Sequence, residues 1–175
     1  MPEPSELALF EQTVLPHLDA AYNLARWLTR DDANAQDLVQ EACLRALRFF
    51  DGFHGTNGRA WLLTIVRNTC YTWLKEHRKH EVANTSFDEE MHSVESSEEN
   101  PEGLLLRKAS KDAIQRALEE LPVEFREVMV LRELEGLSYK EIAGIAEIPI
   151  GTVMSRLARA RKRLQESLTT PASKE

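Results

Sequence analysis

Apolar residues recur at intervals of three or four along most of the chain, the period of helices with one buried face. Over Glu6–Leu28 the stripe is Leu18, Ala21, Tyr22, Ala25 and Leu28, in a helix that Pro16 can break. Asp31, Asp32 and Asn34 give a polar start signal, and Ala35, Leu38, Val39, Ala42, Ala46, Phe49 and Phe50 line the inner face of the helix that follows. A third, long helix is predicted over Arg59–His80, with Trp61, Ile65, Thr69 and Trp73 four apart and Leu62, Val66 and Cys70 beside them. From Leu121 to Leu164 the pattern becomes helix, turn, helix. Pro122 suits a first turn, and Val123, Glu127, Val130, Leu131 and Leu134 recur until Gly136 ends the helix. Ser138 and Glu141 fit a capping box for a short helix buried through Ile142, Ala143 and Ala146. Pro149 sets the turn, and from Thr152 the residues Val153, Leu157, Ala160, Leu164 and Leu168 form the inward stripe of a longer helix. The expected fold is all-α: two small helical domains joined by a linker, the second a helix-turn-helix domain of four helices.

Three outer faces carry candidate chemistry. On the last helix Thr152, Ser155, Arg156, Arg159 and Lys162 share a face, and residues 150–167 hold five Lys/Arg against Glu166 alone. An Arg-rich face by itself is often only a solvated surface. Behind a capped short helix and a tight turn it suits the DNA major groove. On the 59–80 helix Arg67, Asn68, Tyr71, Lys75 and Arg78 cluster; cations interleaved with an aromatic fit unpaired DNA, although basic helix ends are also common solvated features. On the second helix Asp37, Gln40, Glu41, Leu44 and Arg48 make a mixed acidic and apolar surface suited to a basic partner helix. Carboxylates near a helix N-terminus also favour the macrodipole, so spacing alone leaves that face open to a purely structural reading.

Composition sharpens the domain picture. The net charge of −7 divides into −1 for residues 1–80, −8 for 81–103 and +2 for 104–175. The middle segment has eight acidic residues, no Lys or Arg and few large apolar ones, the composition of a flexible linker. The acidic total therefore does not argue against nucleic acid, because local patches decide binding. The glycines at 52, 55 and 58 lack the strand context of a phosphate cradle and read as an interhelix loop. Cys43 and Cys70 form no metal spacing and read as core thiols, and His77 and His80 have no evident carboxylate or Cys partner; no metal and no cofactor is expected. With no apolar window of about 18 residues and no signal-like start, the protein is expected to be soluble and cytoplasmic.

The order of acidic helix, loop, RAWLLTIVRNTCYTWLKEHRK helix, acidic linker and LPVEFREVMVLRELEGLSYKEIA with IPIGTVMSRLARARKRL resembles the extracytoplasmic function (ECF) sigma factors of bacterial RNA polymerase. The resemblance covers both halves. It implies a region 2-like domain over 1–80, an acidic linker over 81–103, a region 4-like domain over 104–168 and a disordered tail over 169–175. DLVQEACLRAL then corresponds to the core-polymerase-binding helix, with Asp37, Gln40, Glu41 and Leu44 as contacts. RAWLLTIVRNT corresponds to the −10 segment, in which the loop carrying His54 and Asn57 receives a flipped base and Arg67, Asn68, Tyr71 and Lys75 lie near the melted strand. In the −35 helix the contacts fall on Met154, Ser155 and Arg159, with Thr152, Arg156 and Lys162 nearby. Met154 departs from the family, which often has Lys or Arg there, and suits an apolar contact such as a thymine methyl. The resemblance further implies an anti-sigma partner, a linker directed toward the polymerase's nucleic-acid channels, and no catalytic residues. Two rivals are a conventional operator-binding regulator, which the helix-turn-helix alone permits, and a small helical hydrolase, for which no clustered carboxylate or His-centred constellation is present.

Overall fold

A computed structural model describes residues 4–84 and 103–169, with side chains over 4–77 and 111–169. Most of the acidic linker and the tail lie outside these residues, as do the side chains of Arg78 and His80. All regular structure among the described residues is helical: α1 (Pro4–Val14), α2 (Leu18–Thr29), α3 (Asp32–Arg48), α4 (Gly58–Asn84), α5 (Gly103–Glu120), α6 (Val123–Met129), α7 (Tyr139–Ala146) and α8 (Ile150–Thr169). Short 3₁₀ turns at Leu15–His17 and Phe50–Gly52 link α1 to α2 and follow α3. The first break falls at Pro16, as its missing N–H requires.

Helices α1 to α4 pack around Val14, Leu24, Leu28, Leu62, Leu63 and Val66, all without exposed surface. The cap of α3 is Asp31, whose carboxylate accepts from the Asn34 N–H at 2.9 Å. Two stripes are rotated from their expected positions. On α4 Leu62, Leu63, Val66, Thr69 and Cys70 are buried, while Trp61, Ile65 and Trp73 are half-buried at the rim of the core. Phe49 was expected inside but is 60% exposed; α3 ends at Arg48, so the chain has turned before it, and Phe50 takes the inner position. The loop after α3 is fastened by rings. Phe53 lies 4.8 Å from Trp61 and 6.0 Å from Phe50, centroid to centroid. Gly58 opens α4 where an added Cβ would meet the Thr13 carbonyl oxygen at 2.5 Å, so only glycine lets α4 approach the end of α1 this closely.

The second unit is built on Val128, Val130, Leu131, Leu137, Ile142, Ile145, Val153 and Leu157. After α6 the helix widens to a π turn over Val130–Leu134, where the Glu135 N–H reaches back to the Val130 carbonyl, and Gly136 stops it at φ 68°. That widening turns Leu134 outward to 49% exposure, against the expected stripe. The Ser138–Glu141 capping box is complete in both directions, at 3.0 and 2.9 Å. Glu147 adopts the left-handed conformation at the end of α7, and the Thr152 and Val153 N–H groups return to the Pro149 carbonyl to start α8. Val153, Leu157 and Ala160 face inward, Leu164 is half-buried, and Leu168 has left the core at 42% exposure.

The two units pack directly on each other. Arg126 of α6 is buried and donates to four carbonyls: Trp27 at 2.7 Å and Leu28 at 3.3 Å at the end of α2, Glu119 at 3.0 Å and Leu121 at 2.7 Å at the end of α5. Helix C-termini leave such carbonyls unpaired and carry partial negative charge, so one guanidinium satisfies two helix ends. Burial, helped by the nearby Arg30 charge, pulls its pKa down to about 10, which leaves it charged at neutral pH.

Candidate nucleic-acid interface

The capping box and the Pro149 turn fix how α8 leaves α7, and with the inward stripe of α8 buried its polar side faces solvent. Met154 is 51% exposed; Ser155, Arg159 and Lys162 are exposed, and Thr152 and Arg156 half-buried. Among the described residues none of Arg156, Arg159 and Lys162 is in an ion pair. The neighbouring Arg161 is tied to Glu133 at 2.9 Å, which holds it against the π turn and away from this face. The Ser155 hydroxyl donates to the Thr152 carbonyl at 3.2 Å. The outcome is a short-helix, turn, long-helix unit with one open cationic face and a single apolar side chain, Met154, within it, the geometry that fits a major groove.

Helix α4 presents a different picture. Asn57 caps it, accepting from the Ala60 N–H at 3.0 Å, while its amide donates to Glu141 of α7 at 2.9 Å. His54 is exposed in the loop before it. Arg67 and Tyr71, expected to be open to a strand, are instead half-buried: both bind Glu127 of α6, Arg67 Nε at 2.7 Å and the Tyr71 hydroxyl at 2.8 Å. The Arg67 guanidinium also lies 3.9 Å over the Tyr71 ring. Glu127 has no exposed surface. Burial acts to lower the Arg67 pKa, but the bond and charge of Glu127 outweigh it and hold it raised. Burial, reinforced by Glu127, also pushes the Tyr71 phenol well above its ordinary range. Asn68 and Lys75 remain exposed beside an open cleft of about 440 Å³ that separates them from Val123, Glu124 and Glu147.

On α3, Asp37, Gln40, Glu41 and Leu44 are all exposed, Leu44 to 67%, and Glu41 pairs with Arg45 at 2.7 Å. Phe49, turned outward at the end of the helix, adds a large apolar side chain. Cys70 is buried and its thiol is pushed up to about 12, by burial first and then by Glu127; Cys43, only half-buried rather than in the core, is also raised by burial. Both thiols stay protonated at neutral pH. His77 stacks on Trp73, centroids 3.8 Å apart, and no group of three metal-ligating side chains occurs among the described residues. No described helix is long and apolar enough to cross a membrane.

Sequence reasoning missed Glu127 and Arg126 as functional positions. The available signal was a carboxylate in register with an apolar stripe, next to an arginine: charged groups that a helix buries only where hydrogen-bond partners meet them, here Arg67 and Tyr71 for Glu127 and main-chain carbonyls for Arg126.

Comparison with known proteins places both units. The sigma-70 region 2 pattern matches residues 13–80 and the sigma-70 region 4 pattern residues 111–164. The chain is 31% identical to the ECF RNA polymerase sigma factor SigE of Mycolicibacterium smegmatis, over 98% of this chain and 70% of that protein. It is 36% identical to the ECF RNA polymerase sigma-E factor of Escherichia coli, over 75% of this chain and 72% of that protein. Among solved structures, the sigma factor RpoE of Bartonella quintana, in complex with the anti-sigma factor NepR, superposes with a TM-score of 0.70 at 34% identity, covering 93% of this chain and 98% of that one.

Proposed function

The chain belongs to the ECF sigma factors of bacterial RNA polymerase, initiation factors rather than enzymes, and from that premise we propose how its residues divide the work. Residues 1–80 bind core polymerase and the −10 element, and 104–168 bind the −35 element. The observation that carries this reading is the open cationic face of α8 behind a complete capping box and turn. Arg156, Arg159 and Lys162 supply phosphate neutralisation and guanine contacts, Thr152 and Ser155 hydrogen bonds, and Met154 an apolar contact that suits a thymine methyl.

In the first unit, the exposed Asp37, Gln40, Glu41 and Leu44 support docking on a basic surface of core polymerase, an encounter that opposite charge accelerates. Melting follows from capture. Extruding a base costs a few kcal/mol of stacking, and a loop carrying His54 and Asn57, with Arg67, Asn68, Tyr71 and Lys75 beside it, offsets that cost through stacking, phosphate contacts and hydrogen bonds. No nucleotide hydrolysis is required. The complex of the Bartonella relative supports control of this chain, too, by an anti-sigma factor.

The deciding experiment mixes the protein with bacterial core polymerase and a library of promoter fragments, wild type against Asp37→Ala/Glu41→Ala. A stable complex with selective initiation, weakened in the double variant, is expected. Specific duplex binding without any polymerase association would hand the case to an operator-binding regulator.

A further inference from the structure

Three of the side chains assigned to the −10 strand, Asn57, Arg67 and Tyr71, are already bound, and what binds them is the other half of the chain. Three acceptors on the second unit that meet the first are carboxylates: Glu127 takes Arg67 and Tyr71, Glu141 takes Asn57, and Glu135 takes Asn23 at 2.7 Å. Carboxylates and phosphates are alike in this setting. Each is an anion that only accepts hydrogen bonds, and each suits the fork of a guanidinium. Arg67 keeps 15% of its side-chain surface and Glu127 none, so in this arrangement no strand reaches the pair. Burial of two opposite charges offsets much of their attraction against lost hydration, so the contact is specific without being permanent. The seam also carries the Arg126 clasp on the α2 carbonyls and an apolar core continuous across both units, so parting it releases these contacts together with the polar pairs.

We propose that the second helical unit is a built-in competitor of the −10 strand: Glu127 occupies the Arg67–Tyr71 site in place of a strand phosphate, and the protein engages single-stranded promoter DNA only after the two units part. The proposal rests on the strand-capture reading of α4 and requires no second protein. Its quantitative consequence is that the apparent affinity for a strand is the intrinsic affinity reduced by the fraction of open molecules. Opening by polymerase and capture of the strand are then linked steps, and a chain away from polymerase is protected from indiscriminate binding to unpaired nucleic acid.

The test uses the full chain, two readouts and two variants. Small-angle scattering reports the separation of the units, and fluorescence anisotropy reports binding of a fluorescein-labelled single-stranded DNA pool. Glu127→Gln keeps the shape of the side chain and removes its charge, leaving Arg67 desolvated and unpaired in the docked form. The expected result is an expanded molecule that binds the pool about tenfold tighter or more than wild type. Asn23→Ala/Glu135→Ala removes a seam contact away from the strand site, and should give a smaller shift in the same direction. Should Glu127→Gln fail to fold by circular dichroism, the second variant decides by the same two readouts. If the folded variants stay as compact as wild type and bind the pool no better, the proposal is overturned. Expansion with no pool binding by any form overturns the strand-capture reading, and the competition with it, while leaving polymerase and −35 binding to the promoter-library experiment.

Discussion

Arg159 on α8 and Arg67 on α4 are both arginines on the polar side of a long amphipathic helix, yet one stands in solvent and the other is closed over by a carboxylate with no exposed surface. The difference lies in what packs opposite. Among the described residues nothing packs over this side of α8, so its cations remain available to a duplex. The polar side of α4 meets α6 and α7, whose carboxylates take Arg67, Tyr71 and the capping Asn57 and leave Asn68 and Lys75 exposed. A basic helix face therefore does not define a free nucleic-acid site; the electrostatics that recruit phosphate recruit any well-placed acid.

The strongest way to break this contrast is to truncate both arginines. Arg67→Ala strands Glu127 as a buried, unpaired charge, and is expected to cost the docked protein roughly 3–5 kcal/mol in urea unfolding. Arg159→Ala, at an exposed position, should leave the unfolding curve within about 0.5 kcal/mol of wild type. Equal stability losses would mean that the two faces are not different in kind. On promoters the emphasis reverses for Arg159: if it reads a base, its loss should weaken preferred −35 sequences by roughly 1–3 kcal/mol, whereas uniform loss over all sequences would make it a phosphate contact.

A smaller effect sharpens the seam itself. The Ser138 backbone N–H first, and then Asn57, hold the Glu141 carboxyl below its ordinary range. A lowered folded-state value means that this group stabilises the fold at pH above the ordinary glutamate range near about 4.3, and that the contribution fades as pH falls through and below it. Urea midpoints of wild type and Glu141→Gln should therefore differ near neutral pH and converge toward roughly pH 3. A constant gap would show that shape rather than charge matters at this position.

Much of the architecture was legible because local rules and global packing agree. The Pro16 break, the Asp31 cap, the Ser138–Glu141 box and the Gly136 stop each rest on interactions within a few residues. The outer face of α8 was legible for the same reason, since its inward stripe fixes it. What escaped was set by distant partners. The burial of Arg67 and Tyr71 depends on Glu127, roughly sixty positions away in sequence, and periodicity carries no record of such pairs. Phe49 and Leu134 were assigned inward by spacing alone, but a helix end and a π turn shifted the register beneath them. Glu127 itself sat in plain view within a buried stripe, where its charge was the clue that the stripe faces a cation.

The Arg126 clasp grips only main-chain oxygens, at Trp27, Leu28, Glu119 and Leu121. Main-chain carbonyls are present whichever side chains stand there, so the joint between the halves is blind to the identity of the residues it holds and depends on helix ends arriving in the right place. A lineage can rewrite those four positions as far as their packing allows, and the hinge survives; at position 126 itself, the fork of a guanidinium has no substitute among the other side chains.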